Sequence, residues 1–306
     1  MTAPDRTGAP AKIAVVLLNW HDEQRTLAAA ERADSFRVSG PKIVVDNEST
    51  EQSWVALTEG LPSDWVVLRS ALNVGYGAAH NLAFQHLELV DLTAVLLVNT
   101  DATIEPGDFA LLVDAVERDP RAGVVAPVIY EHDGESEVIQ SAGGRLQVWR
   151  GNVRQYRSVE RLRRLDYLTF ACALVRASAI GETAGFDERF FMYWEDVDLC
   201  LRIRARGYSL QLVAQARAMH ELSASGGRAG PLLSTYGTWS ASCFAHKRGG
   251  AWPATIRIRV LVAALLRTVR GDRDGARAGL RGLRLPYRGR IPGYELAGRL
   301  RSRPRN

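Results

Sequence analysis

The feature that most constrains the fold is a regular alternation of short apolar runs with longer amphipathic segments across the first 130 residues. Five runs are nearly continuous and rich in β-branched residues, at 13–19, 42–46, 65–69, 94–99 and 123–129. Such runs are typical of strands buried on both faces. The segments between them, such as DEQRTLAAAERAD, have helical spacing. This alternation predicts an α/β fold with an open, mostly parallel, Rossmann-like sheet flanked by helices.

Polar side chains and glycines cluster just after these runs. In such sheets the ligand site lies beyond the carboxyl ends of the strands. The candidates there are Asn19, Asp46, Asn73, Gly75, Asn99 and Asp101. Glycines allow close backbone approach, and a helix N-terminus favours negative charge. The plain alternative is that these residues cap turns and helices, which Asn and Asp do well.

Several other classes of protein are disfavoured. The segment after the first run, WHDEQR, has no glycine, and His80 stands where a later Gly-rich stretch would need its third glycine, so a dinucleotide-binding fingerprint is missing. No Gly-Lys-Ser or Gly-Lys-Thr of a phosphate-binding loop occurs. The cysteines, Cys172, Cys200 and Cys243, are odd in number and far apart, which argues against a disulfide framework or a zinc cluster.

The C-terminal segment is strongly basic. From Trp252 onward, fourteen arginines stand against Asp272, Asp274 and Glu295, although the net charge of the whole chain is only +5. Its stretch RIRVLVAALLRTVR, with a short apolar run between arginines, predicts a helix on an anionic membrane surface. The alternative is that this helix packs its apolar side on the main domain. Nucleic acid is disfavoured because aromatic residues that could stack on bases are sparse.

Targeting signals are missing from the sequence. No apolar stretch reaches the roughly 18 residues needed to span a bilayer, and the first dozen residues lack the apolar run of a secretory signal. We therefore expect a cytoplasmic protein, peripheral at the inner face of the plasma membrane if the basic segment binds there.

An ordered set of motifs resembles glycosyltransferase family 2, and in particular its bacterial rhamnosyltransferase-like members. The motifs are VVLLNW, VVDNEST, NVGYGAAHN, VNTDA, FACALVRASAI, GFDERFFMYWEDVDLCLR and MHELSASGG. The resemblance spans about residues 12–250. It implies the GT-A fold, with a nucleotide-sugar-binding half at 12–130 and an acceptor and catalytic half at 131–250. A flexible N-terminus at 1–11 and a basic helical extension at 251–306 would flank this domain.

The resemblance also implies a reaction and roles for residues. The expected activity is inverting transfer of rhamnose or a similar sugar from a dTDP- or UDP-sugar to a saccharide, lipid-linked or small-molecule acceptor. Asp196 is the expected general base, and Asp101 with His220 would hold Mg²⁺ or Mn²⁺. Asn99 replaces the first acid of the usual acidic pair, so this metal site carries one charge fewer. Leu18, Asn19, Asp46, Asn73, Gly75, Asn99 and Asp101 are expected at the nucleotide sugar, and Trp149, Trp194 and Glu195 at the acceptor.

Other interpretations of these residues remain open. Glu195, Asp196 and Asp198 are favourable charges in the first turn of a helix, and Asp198 is spaced to pair with Arg202. Asp198 is therefore predicted to be structural. Residues 130–164 are the least family-like and read as a hairpin insertion. A nucleotidyltransferase of related fold and a non-catalytic nucleotide- or sugar-binding relative are the alternative functions, and the oligomeric state is open, a homodimer included.

Overall fold

The five apolar runs form strands of one large sheet. The computed structural model describes residues 11–160, 164–221 and 230–285. The strands from these runs are β1 (Ile13–Asn19), β2 (Lys42–Asn47), β3 (Trp65–Ser70), β4 (Ala94–Asn99) and β6 (Ala122–Asp133). The last strand continues beyond its predicted end because its less buried end pairs with β7 (Ser136–Ser141).

Among the described residues, the sheet has nine strands and is mixed. Its parallel part runs β3-β2-β1-β4, with β1 between β2 and β4. The second half of the sheet adds β5 (Ala102–Ile104), β10 (Cys172–Arg176) and β11 (Ser209–His220). Strand β10 lies antiparallel between β4 and β6, and β11 is parallel to β6 but antiparallel to β5. The order reverses at β1 and β4, which is where open α/β sheets form ligand clefts.

Helices cover both faces of the sheet. The crossover helices are α1 (Glu23–Asp34), α2 (Glu51–Gly60), α3 (Tyr76–His86) and α4 (Pro106–Arg118). Capping side chains begin two of them, because Asp22 accepts from the backbone N–H of Arg25 and Thr50 from that of Ser53. Consecutive residues of one strand, such as Val15 and Val16, belong to two separate apolar clusters. The sheet is therefore buried on both sides, as its continuous apolar strands predict.

The rest of the described chain forms a small hairpin and the later helices. Strands β8 (Gly144–Gln147) and β9 (Asn152–Gln155) pair antiparallel, which confirms the predicted hairpin. The helices that follow are α5 (Ala177–Thr183), α6 (Glu195–Ala205), α7 (Gly230–Arg248), α8 (Trp252–Val269) and α9 (Arg273–Arg284). The predicted helical C-terminal region is thus present. In the part of the chain that the structure describes, none of the helices combines the length and apolarity needed to cross a membrane.

The domain boundaries stay a prediction. Of the predicted flexible segment 1–11, only Ala11 belongs to the described residues, and the last part of the predicted extension, 286–306, lies outside them. The end of the motif MHELSASGG also lies outside them.

Candidate active site

The carboxyl ends of β1, β2 and β4 meet in one row. In the strand register, Leu18 lies between Val45 and Asn99, and Asn19 lies beside Asp46. Four residues that the sequence places at the nucleotide sugar therefore share one edge of the sheet.

Asn19 holds Asp46 in place at this edge. Both side chains are fully buried. The amide Nδ2 of Asn19 donates to Asp46 Oδ1 and to Ser49 Oγ, each at 2.9 Å, while its Oδ1 accepts from Thr26 Oγ1 at 2.8 Å. Asp46 Oδ2 is buried without a hydrogen bond, and the nearest cation, Arg69 Nε, lies 3.8 Å away. A buried carboxylate oxygen without a donor is costly, so Asp46 Oδ2 is a candidate to accept from a ligand N–H.

Gly75 begins α3 at a point of very close backbone contact. Its φ is +89°, and a Cβ there would lie 2.4 Å from the carbonyl oxygen of Phe191. The backbone N–H of Tyr76 donates to that same oxygen at 2.9 Å. Asn73 Oδ1 supports the turn by accepting from the N–H of Gly75 and from Asn47 Nδ2, both at 3.0 Å. Gly75 is expected at the nucleotide. The structure requires a glycine at this position because its loop lies directly against the segment around Phe191.

Asp101 and His220 come together although they are far apart in sequence. Strand β11 pairs with β5 so that His220 lies opposite Ala102, next to Asp101. The distance from His220 Nε2 to Asp101 Oδ1 is 3.2 Å. The other ring nitrogen, Nδ1, lies 2.8 Å from Oε1 of the buried Gln140, and Gln140 Nε2 donates to Glu131 Oε2 at 3.1 Å. Because Gln140 Oε1 can only accept, a neutral imidazole carries its proton on Nδ1, and its Nε2 lone pair is then available to a cation beside Asp101.

This arrangement fits a divalent cation that is shared with a substrate. One carboxylate oxygen and one imidazole nitrogen are suitable ligands for Mn²⁺ or Mg²⁺. In the described ranges no group of three or more His, Cys, Asp or Glu side chains could form a complete metal cage. Two protein ligands, with further ligands from phosphate and water, are typical of cations that act on bound diphosphates. The Gln140 contact, which sequence reasoning missed, orients the histidine as metal sites require.

The segment before α6 has an unusual backbone. Tyr193 and Trp194 have consecutive positive φ angles of 68° and 69°. Such conformations cost of order 1–3 kcal/mol each for bulky residues, so the surroundings must enforce them. Trp194 packs against Phe244 at 4.8 Å between ring centroids, and Ser240 Oγ donates to the carbonyl oxygen of Met192 at 2.8 Å. Helix α7 therefore fixes the turn that sets Glu195 and Asp196 at the start of α6.

The two carboxylates at the start of α6 have strongly altered proton affinities. Burial raises the pKa of Glu195 well above its usual value, and the adjacent Asp196 raises it further. Glu195 is only 8% exposed, and its Oε2 is buried without a hydrogen bond. Burial also raises the pKa of Asp196 to about 6, although backbone hydrogen bonds, including one of 2.7 Å from the N–H of Val197, oppose this shift. A carboxylate with a pKa near neutrality suits a general base.

Tyr76 marks the point where the predicted site residues converge. Its phenolic pKa is raised well above the usual value, first by burial and then by the charges of Glu195, Asp196 and Asp101. Its hydroxyl donates to the carbonyl oxygen of Phe170 at 2.8 Å. The acid after β4 and the acids of α6 thus lie near one half-buried, neutral tyrosine. Sequence reasoning missed Tyr76, whose only local signal is its place after Gly75 in NVGYGAAHN.

Asp198 has the structural role predicted for it. It is 1% exposed and lies 2.7 Å from Arg202 Nε and 2.8 Å from Lys247 Nζ. Lys247 also contacts Asp187 at 2.6 Å. Burial alone would raise the pKa of Asp187, but hydrogen bonds from Arg189 and Lys247 lower it well below its usual range. This buried ion-pair network ties α6 and the preceding loop to α7.

The predicted acceptor residues lie in different environments. Trp194 is 9% exposed and packs against Phe244 and Trp252, so its ring supports the turn before α6. Tyr193, which is 42% exposed, is the accessible aromatic side chain of this segment. Trp149 is 86% exposed in a 3-10 turn between β8 and β9, and its neighbour Gly151 lies against the backbone of α8. The acceptor role of Trp149 stays a prediction.

The large, mixed, helix-flanked sheet matches solved glycosyltransferases of the GT-A fold. GalNAc-T7, solved with UDP, GalNAc and Mn²⁺, matches with a TM-score of 0.58 and 16% identity over 79% of this chain and 48% of that chain. The mannosyltransferase PcManGT from Pyrobaculum calidifontis, solved with GDP-Man and Mn²⁺, matches with a TM-score of 0.53 and 15% identity over 98% of this chain and 82% of that chain. At these identities the matches show the fold alone.

Sequence comparisons identify the family. The family model described as "Glycosyl transferase family 2" matches residues 42–183. The N-acetylglucosaminyl-diphospho-decaprenol L-rhamnosyltransferase of Mycobacterium tuberculosis is 32% identical over 260 residues, which cover 76% of this chain and 83% of that relative. The chain belongs to glycosyltransferase family 2 and is a rhamnosyltransferase-like enzyme, as the motif order predicts.

Proposed function

We propose that this enzyme transfers rhamnose, or a closely similar sugar, from a dTDP- or UDP-sugar to a hydroxyl group of a lipid-linked saccharide, with inversion at the anomeric carbon. The observation that carries the proposal is the convergence of Asp101, Glu195 and Asp196 around Tyr76, beside the strand ends that hold Asp46. Such a site contains both a binding region for a nucleoside diphosphate and a candidate general base.

Asp196 is the proposed general base. In a single displacement, the acceptor oxygen forms a bond to the anomeric carbon while the bond from that carbon to the diphosphate oxygen breaks. The acceptor proton passes to the Asp196 carboxylate, and the bonding electron pair leaves with the nucleoside diphosphate. With a pKa of about 6, Asp196 is mostly ionised at neutral pH and still has appreciable affinity for the proton. The raised pKa of Glu195 beside it favours the protonated form, which can donate a hydrogen bond to the acceptor.

Asp101 and His220 are the proposed protein ligands of Mg²⁺ or Mn²⁺. A cation held there would offset the negative charge that develops on the leaving diphosphate. Because Asn99 stands in place of an acid, Asp101 supplies the one formal negative charge for this cation. We therefore expect modest affinity for the metal ion in the absence of a nucleotide. Asp46, held by Asn19, is the proposed acceptor for a nucleobase N–H, which fits its buried oxygen without a hydrogen bond.

The donor and acceptor classes are proposed from the relatives. The name of the M. tuberculosis relative specifies L-rhamnose transfer to an N-acetylglucosaminyl-diphospho-lipid. That relative supports rhamnose as the sugar and a lipid-linked diphosphosaccharide as the acceptor. Since such an acceptor is anchored in a bilayer, we further propose that the enzyme works as a peripheral protein at the inner face of the plasma membrane.

Calorimetric titration with UDP, dTDP and GDP, each with and without Mn²⁺, tests the donor site. We expect metal-dependent binding of dTDP or UDP that Asp101→Ala weakens and Asp196→Asn preserves. In a transfer assay with dTDP-rhamnose and a short-chain GlcNAc-diphospho-lipid, Asp196→Asn should lower turnover by at least a hundredfold. Near-parental turnover of this variant would show that Asp196 is not the base.

The same measurements separate the alternative functions. A non-catalytic relative would bind a nucleotide sugar, but the parent would give no turnover. A nucleotidyltransferase would consume a nucleoside triphosphate and release pyrophosphate, whereas the proposed reaction releases a nucleoside diphosphate. Identification of the released nucleotide by chromatography distinguishes the two.

A further inference from the structure

Helix α8 is apolar on two opposite sides. One side packs onto the body of the protein through Trp252, Ile256, Val260 and Ala264, which follow each other at intervals of four residues. The opposite side carries six of the thirteen exposed large hydrophobic residues in the described ranges, namely Ile258, Leu261, Val262, Leu265, Leu266 and Val269, each 50–78% exposed. We call these six residues the outer face of α8. A concentrated apolar surface of this kind marks an interaction site.

The neighbouring helix α9 carries a row of positive charge. Arg273, Arg277, Arg281 and Arg284 are all exposed and lie on one side of the helix by their spacing. The other side consists of buried glycines and alanines, and a Cβ at Gly282 would lie 2.6 Å from the carbonyl oxygen of Thr235 in α7. This close packing holds α9 firmly against the body with its arginines directed to solvent.

Helices α8 and α9 form one unit. Arg267 of α8 donates to the carbonyl oxygen of Gly275 at 2.9 Å and to Ser234 Oγ of α7 at 2.7 Å. The outer face of α8 and the arginine row of α9 are therefore held in a fixed relation to each other. An apolar helix face beside clustered arginines is the combination that binds interfaces of anionic bilayers.

We propose that the outer face of α8 inserts into the headgroup region of an anionic lipid bilayer while the arginine row of α9 binds lipid phosphates. A second copy of this chain would fit this surface less well than a bilayer, since a symmetric contact would bring two arginine rows together. The segment 286–306 would also fit less well, because its sequence has six arginines and one glutamate and would add positive charge beside the arginine row. Charge complementarity thus favours the bilayer.

The start of α8 contacts the catalytic segment, which links this surface to the reaction. Trp252 packs edge to face against Trp194, with 6.2 Å between the ring centroids, and Trp194 directly precedes Glu195 and Asp196. Ile258 lies six residues further along α8, about 9 Å along the helix axis at 1.5 Å per residue. A bilayer in contact with the outer face would therefore lie close to the carboxylates. The inference rests on the proposed function and deepens it, since the headgroup of a lipid-linked acceptor lies at this depth.

Sedimentation of the full-length protein with vesicles of phosphatidylcholine, with and without 30% phosphatidylglycerol, tests the proposal. We expect binding to the anionic vesicles that falls at least tenfold in Leu261→Ser/Leu265→Ser. In Arg277→Gln/Arg281→Gln we expect weaker binding that depends less on salt. The matched control is Val90→Ser, an exposed apolar residue in a surface turn outside this surface, which should bind as the parent does. Circular dichroism checks that each variant is folded.

Absence of binding by the parent, or unchanged binding by the leucine variant, would overturn the proposal. So would a parental dimer in analytical ultracentrifugation that Leu261→Ser/Leu265→Ser converts to a monomer, because the outer face would then be a subunit interface. Vesicle binding that appears only after removal of 286–306 would also overturn it, since that segment would be the occupant in the intact protein.

Transfer assays separate failure of this proposal from failure of the proposed function. With a water-soluble short-chain acceptor, the leucine variant should keep parental turnover, and with a long-chain acceptor in vesicles it should lose at least tenfold. Asp196→Asn should lose turnover with both acceptors and still bind vesicles. Vesicle binding by a parent that transfers sugar to neither acceptor would refute the proposed function alone. Transfer to both without vesicle binding would refute the docking surface alone.

Discussion

Burial of Asp196 makes it a suitable base and should also cost the folded protein stability. Its pKa is about 6, against 3.8 for an unperturbed aspartate. Each pH unit of this difference is worth about 1.4 kcal/mol, so the ionised carboxylate destabilises the fold by about 3 kcal/mol. The folded state binds the Asp196 proton more tightly than the unfolded state does. The contribution of this carboxyl group to the free energy of unfolding is therefore fully present below pH 3.8, and it is lost as the pH rises through about 6.

Asp196→Asn removes the charge and keeps an oxygen that can accept from the N–H of Val197. We expect this variant to be more stable than the parent by about 3 kcal/mol at pH 8 and by about half as much at pH 5. Loss of the Asp196 charge also lowers the pKa of Glu195 towards its usual value, which further stabilises the variant. Urea unfolding followed by circular dichroism at several pH values measures the difference.

Asp198→Asn is the matched control, since it makes the same change two residues away. There the carboxylate pairs with Arg202 and Lys247, so we expect a loss of stability at neutral pH of about 3–5 kcal/mol. A stability difference between Asp196→Asn and the parent that does not change with pH would refute the reasoning. Destabilisation by Asp196→Asn at pH 8 would refute it as well.

Three further predictions follow from the site. Turnover should rise with pH through a midpoint near the pKa of Asp196, about 6, in a pH–rate profile of kcat/KM, and a flat profile from pH 5 to 8 would contradict the base assignment. Gln140→Leu should weaken Mn²⁺-dependent nucleotide binding about tenfold in calorimetry, because His220 loses the partner that fixes its tautomer, and parental binding by this variant would contradict the role of Gln140. Gly75→Ala should lower the urea midpoint by an amount equivalent to at least about 2 kcal/mol, because its φ is +89° and the added Cβ meets the carbonyl oxygen of Phe191, and parental stability would contradict this.

Much of the fold and several parts of the site could be predicted because their signals are local. Strands β1 and β4 have the predicted bounds, since a continuous apolar run and its flanking polar residues occupy adjacent positions in the chain. The pairing of Asp198 with Arg202 also depends only on helical spacing. The roles of Asp101 and Asp196 came from motif resemblance and stay predictions.

Other parts of the site are decided only by the tertiary structure. His220 reaches Asp101 through the pairing of β11 with β5, and Gln140 reaches His220 from yet another strand. The positive φ angles of Tyr193 and Trp194 run against local preference, and packing from α7 and α8 enforces them.

The sequence by itself determined the strands, the order of the motifs and the presence of a basic helical end. The tertiary structure decided which residues meet and which side of α8 faces solvent. The physical reason is the range of the interactions. Periodicity, capping and i, i+4 pairing act between residues close in the chain, whereas strand register, burial and the resulting pKa values depend on contacts between residues that are distant in the chain.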